Sequence, residues 1–147
     1  MFETAKTGIP ILLFTVLSSG CGIMGSTSST TSDGIFQLSA MADRAYESGQ
    51  WYEAERHYQR LTSLVPDDSY AWFRLGNSYT RQGDFRKATE AFESASAFDA
   101  GQPKIWFNLA TSYLLNAQIA MTHAYEQLPQ NDPAREVISK NLSLIHI

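Results

Sequence analysis

Six residues of this chain recur 34 positions on: Gly49-Gln50-Trp51-Tyr52-Glu53-Ala54 returns as Gly83-Asp84-Phe85-Arg86-Lys87-Ala88. A fixed period of this length constrains the fold strongly, because each copy is one supersecondary unit whose apolar face its neighbour must cover. Within a copy the spacing is helical. Trp72, Leu75 or Gly76, and Tyr79 stand three or four apart, so they share one helix face. A glycine on that face, Gly76, or an alanine, Ala42, lets a paired helix come close. Gly49 and Gly83 suit a short turn between antiparallel helices, where a positive φ is cheap only for glycine. Asp84 then stands where an N-cap oxygen would satisfy free amides of the second helix. Asp67, Asp68 or Ser69 could do the same for the next pair. The expected fold class is all-α, built from antiparallel helix-turn-helix units.

Counted from Ser69, the residues Trp72, Leu75, Gly76, Tyr79, Ala88 and Phe92 follow W-x2-L-G-x2-Y…A-x3-F, with Ala95 continuing the small-residue face. This pattern resembles the tetratricopeptide repeat. The resemblance implies a short right-handed α-solenoid with its binding surface on the concave side. One copy is assigned to residues 69–102, with Ala100 where the pattern closes on proline. A degenerate copy at 35–68 carries Leu38, Met41, Ala42, Ala45, Ala54, Tyr58, Leu61 and Pro66. A partial copy at 103–141 begins with Trp106, Leu109, Ala110 and Tyr113. There Ala117, Thr122 and Glu126 replace the turn glycine, the small residue and the aromatic. One long helix from about Lys104 to Leu128 is therefore expected. After it, Asp132-Pro133 reads as an N-cap and first helical position. A short capping helix to about Asn141 would turn Val137 and Ile138 inward.

The N-terminus reads as an address. Lys6 precedes the uncharged run Gly8–Leu17, which gives way to Ser18, Ser19 and Gly20, the layout of a secretory signal at 1–20. The run is short of the roughly 20 apolar residues that a membrane-spanning helix needs. Leu17-Ser18-Ser19-Gly20-Cys21 resembles the lipobox of bacterial lipoproteins. That resemblance implies cleavage before Cys21, lipidation of Cys21 including palmitate-type acyl chains, and attachment to a membrane through that lipid. Gly22 in place of Asp after the cysteine implies the outer membrane, facing the periplasm. Residues 21–34, rich in Gly, Ser and Thr, are expected to be a flexible tether.

The last six residues, Leu142-Ser143-Leu144-Ile145-His146-Ile147, translate CTG TCT CTT ATA CAC ATC, the mosaic end of a common sequencing transposase. They read as adapter read-through at 142–147, so the natural chain is expected to continue past Asn141.

Composition excludes some classes of function. A net charge of -4 with interspersed signs gives no basic footprint for nucleic acid. A single cysteine, Cys21, excludes an internal disulfide and a cysteine-based metal cage. His57, His123 and His146 have no partners at metal-ligand spacing, and His57 reads as a helix-surface residue. No phosphate-cradling loop or nucleophile motif is present, so no enzyme, metal or cofactor is expected.

Function is expected on the outward slots of the first helices: Asp43, Tyr46 and Glu47; then Tyr70, Phe73, Arg74, Asn77 and Arg81; then Lys104, Phe107, Asn108 and Thr111. Arg74, Arg81 and Lys104 could meet carboxylates, Asn77 and Asn108 could bond a peptide backbone, and Phe73 and Phe107 offer apolar contact. Ser39 and Asp43 stand where the chaperone-gripping carboxylate clamp has Lys and Asn, which argues against that subfamily. The expected function is a protein-binding adaptor assisting a pilus, secretion or outer-membrane assembly. The alternative is an N-terminal piece of a longer repeat protein whose binding or catalytic part lies downstream.

Overall fold

Turns placed by two glycines set the rhythm of the chain. A computed structural model describes residues 29–145, and six helices follow one another among them: α1 (Ser29–Glu47), α2 (Trp51–Leu64), α3 (Ser69–Gln82), α4 (Phe85–Phe98), α5 (Pro103–Gln127) and α6 (Ala134–Ile145). Gly49 and Gly83 have φ of 71° and 79°, a left-handed conformation that side chains with a Cβ resist. Each turn closes the same way. The amide of Gln50 donates to Ala45 O at 2.9 Å, and the amide of Asp84, one period on, donates to Tyr79 O at 3.0 Å. The Asp68 and Asp84 carboxylates then accept from the Ala71 and Lys87 amides, capping α3 and α4.

Each helix packs on the next, and α1 also touches α3 as α3 touches α5, so the first helices of successive pairs form one wall. The core is lined by small residues facing large ones: Ala42, Ala54, Ala71, Ala88 and Ala91 against Tyr58, Leu61, Leu75 and Phe92. Gly76 lies directly against Phe92. A Cβ added at Gly76 would sit 2.6 Å from the ring, so the absence of a side chain there is what lets α4 close on α3.

Repeats are joined by bonds that also recur at the period. Trp72 Nε1 donates to Pro66 O at 2.8 Å and Trp106 Nε1 donates to Ala100 O at 2.9 Å. Ala100 thus performs with its carbonyl what Pro66 performs one repeat earlier. Gln82 reaches back to Glu55 at 2.9 Å, and Asn116 in the corresponding slot reaches Phe85 O and Thr89, each at 3.0 Å.

With Ala117 in place of a turn glycine, α5 continues for 25 residues, about 37 Å at 1.5 Å per residue. Beyond Asn116 it is accompanied by α6. Asp132 caps α6 through the Ala134 amide at 2.8 Å, and Arg135 donates to Tyr125 O and Leu128 O, both at 2.8 Å. Four expectations change here. Val137 is 60% exposed, because the inward stripe of α6 is Ile138, Leu142 and Ile145, and Val137 lies about 100° off it. The helix also runs beyond Asn141 to Ile145. At the other end, α1 begins at Ser29, inside the stretch expected to be tether, since extending a helix already docked through Ile35 and Leu38 costs little per residue. His57, expected on the surface, is 9% exposed, with Nε2 3.6 Å from Glu53.

Gly76→Val is expected to cost about 2–3 kcal/mol by forcing the Phe92 ring aside. Ala110→Val, at the same slot of the next repeat but exposed, should be close to neutral in thermal melts; equal effects would refute the close approach. The Asp84 carboxyl feels burial first, which raises its pKa, but the Lys87 ammonium and amide outweigh this and hold it below the usual range. Its contribution is therefore present above about pH 4 and fades as pH falls through the folded value. Asp84→Asn, which keeps the cap, should be less stable than wild type at neutral pH, with the gap closing in acid urea melts.

Candidate binding surface

The wall of first helices carries every groove residue expected from the sequence, but the structure divides them into two kinds. Arg74 belongs to a fixed network. Its Nε donates to the Tyr70 hydroxyl at 2.8 Å, and its guanidinium carbon lies 4.3 Å from the centre of the Tyr46 ring and 5.0 Å from that of Tyr70. Tyr70 in turn donates to Asp43 Oδ1 at 2.9 Å, and Tyr58 from α2 donates to the same oxygen at 2.5 Å. One carboxylate thus ties α1, α2 and α3 together. Burial first, and then the Asp43 carboxylate, push the Tyr58 hydroxyl well above its ordinary pKa, so it remains a donor.

Phe73 is likewise internal. Its ring packs 5.9 Å from Phe92, with the Lys104 ammonium 5.0 Å above it. Asn77 and Asn108 bond each other, Asn108 Nδ2 donating to Asn77 Oδ1 at 2.7 Å. That bond leaves an NH₂ on Asn77 and a carbonyl oxygen on Asn108, the donor and acceptor that an amide backbone needs. These asparagines are 31 residues apart, one turn short of the period, so slot equivalence alone does not pair them.

The open remainder is Phe107, 72% exposed, and Arg81, exposed with its guanidinium carbon 5.5 Å from the centre of the Trp51 ring. Between α3 and α5 lies a cavity of about 200 Å³ lined by Asn77, Arg81, Asn108 and Thr111, with Tyr46, Thr80 and Ser112 completing it. A smaller one, about 120 Å³, is bordered by Tyr70, Phe73, Asp99 and Lys104. Thr80 and Ser112 were not among the expected groove residues: Thr80 shares the slot of Tyr46 one repeat earlier, a signal that could have found it, whereas Ser112 stands in the slot of the buried Ser78, a helix-packing position. Among the described residues no cluster of three or more His, Cys, Asp or Glu could hold a metal ion, and no helix is long and apolar enough to cross a membrane. Cys21, the expected lipid site, lies outside the described residues, as do the leader and most of the tether.

A model of the tetratricopeptide repeat matches residues 39–103 and again 73–117, together more than half of the chain. The chain belongs to the tetratricopeptide-repeat family. The chain is similar to low calcium response locus protein H of Yersinia pestis, with 26% identity over 141 residues, 96% of this chain and 84% of that one. The fold is similar to that of the type III secretion translocator chaperone SycD of Yersinia enterocolitica, at 24% identity and a TM-score of 0.54 over 78% of this chain and 84% of that one. It is also similar to PcrH in complex with the chaperone binding region of PopD, at 23% identity and a TM-score of 0.55 over 78% and 92%. As a tetratricopeptide protein the chain is a protein-binding scaffold.

These relatives overturn the expected outer-membrane location. Secretion chaperones stand where a periplasm-facing lipoprotein was expected, and a match of 141 residues leaves only six outside it. The outer-membrane assignment, which rested on the residue after Cys21, is withdrawn on that ground; the leader and Cys21 themselves lie outside the described residues.

Removing the shared carboxylate tests the fixed network. Asp43→Ala should lower stability by about 1–3 kcal/mol, since the Tyr58 hydroxyl is left buried without an acceptor, whereas Tyr58→Phe should cost about 1 kcal/mol. The same urea midpoint for Asp43→Ala and wild type would show that the network holds nothing.

Proposed function

We propose that this tetratricopeptide protein is a chaperone-type adaptor that holds a segment of a secreted client protein along the trough of α1, α3 and α5. The observation that carries it is Phe107, a large aromatic 72% exposed beside the cavity of Asn77, Arg81 and Asn108. An apolar anchor next to polar groups able to bond a backbone is the arrangement that captures an extended peptide. The names of the similar proteins supply the client class: a translocator chaperone, and a chaperone in complex with a segment of PopD. In this reading the protein catalyses nothing and uses no cofactor.

A second reading, a stacking module within a longer helical array, is favoured by one observation. Trp106 and Tyr113 are each 49% exposed, although Tyr79, in the slot of Tyr113 one repeat earlier, is covered at 7%.

A fluorescent synthetic peptide of the chaperone binding region of PopD provides the test, read by anisotropy. Binding with a Kd that Phe107→Ser weakens about tenfold, the loss of about 1.4 kcal/mol, supports the adaptor. An unchanged Kd places the site elsewhere. Absence of binding, together with self-association in sedimentation, favours the stacking module.

A further inference from the structure

The cations of the trough do not have equal chemistry. Arg74 is consumed by the Tyr46, Tyr70 and Asp43 network. Lys104 is held over Phe73, and its cavity also contains the Asp99 carboxylate, which repels anions. Arg81 differs from both. It makes no ion pair among the described residues, where the pairs involve Arg56, His57, Lys87 and His123. Among the described residues it is also the only charged one lining a cavity of about 200 Å³ whose other walls are hydroxyls, amides and one tyrosine. That volume accommodates one side chain the size of Asp or Glu.

We propose that Arg81 reads an acidic side chain of the client, which enters this cavity while an apolar side chain of the same segment rests on Phe107. The inference rests on the adaptor reading and names the chemistry of its ligand. Phe107 occupies the slot of Phe73 one repeat on, eight residues before the slot of Arg81. On parallel first helices that offset is about 12 Å along the axis at 1.5 Å per residue, and with neighbouring helices about 9 Å apart the separation is about 15 Å. An extended segment rising about 3.3 Å per residue covers it in four or five positions. The client signature is thus an Asp or Glu four or five residues from a Leu, Met or Phe. A guanidinium in a polar, partly enclosed site favours a carboxylate over its amide through charge-assisted hydrogen bonds. Trp51, beneath the guanidinium, restricts where it can point.

The experiment is a positional-scanning decapeptide library captured on wild-type protein and on Arg81→Glu, with circular dichroism to confirm that the variant keeps its helices. Wild type should enrich Asp and Glu about fivefold over Asn and Gln at a position four or five from an enriched apolar residue. Arg81→Glu should lose that preference and enrich Lys or Arg there, while the apolar preference persists. Apolar enrichment without any acidic preference, or an acidic preference unchanged in Arg81→Glu, overturns the role of Arg81 and leaves the adaptor reading standing. No enrichment on folded wild type, together with no capture of the PopD peptide, overturns both.

Discussion

Everything in this fold depends on how closely two helices can approach at Gly76. The Phe92 ring occupies the space where a Cβ would be, and that contact sets the spacing between α3 and α4. Ala42 occupies the equivalent slot on α1, fully buried, opposite the equally buried Tyr58. Small residue against large aromatic, repeated once per period, aligns the first helices into one wall. A binding surface composed of single residues from α1, α3 and α5 exists only because those approaches are uniform.

The Asp43 network is the second determinant, and it changes the meaning of a basic residue. An exposed arginine on a binding wall invites assignment to a ligand. Here Arg74 has two aromatic rings and a hydroxyl as partners, so it stabilises the joint between the first two repeats. With Arg74 so engaged, Arg81 is left as a cation of the wall that makes no ion pair among the described residues. Cation–π contacts of this kind are worth about 0.5–2 kcal/mol each, depending on exposure.

The third repeat follows different physics. Without a glycine at position 117 nothing reverses the chain, and helix propagation past Asn116 costs less than a turn. The face of α5 that would receive a second helix therefore keeps Trp106 and Tyr113 half exposed. α6 packs further along instead, held by Arg135 on the terminal carbonyls of α5.

The sequence by itself determined the helix-turn-helix period, the glycine turns, the Asp84 cap, the close approach at Gly76 and the long α5. Each of these is written in single residues at a fixed spacing, and local backbone sterics enforce them. It also placed Phe73, Arg74, Asn77, Arg81, Lys104, Phe107 and Asn108 on the wall of first helices, because that wall follows from helical periodicity. Only the tertiary structure decided which of them are open. Arg74 and Phe73 are engaged across helix gaps, Asn77 finds Asn108 one turn off the period, and Val137 turns outward. Long side chains choose partners from neighbouring helices whose offset and rotation no periodic pattern encodes. The same offsets leave Phe107 exposed, and Arg81 exposed with only the Trp51 ring beneath its guanidinium.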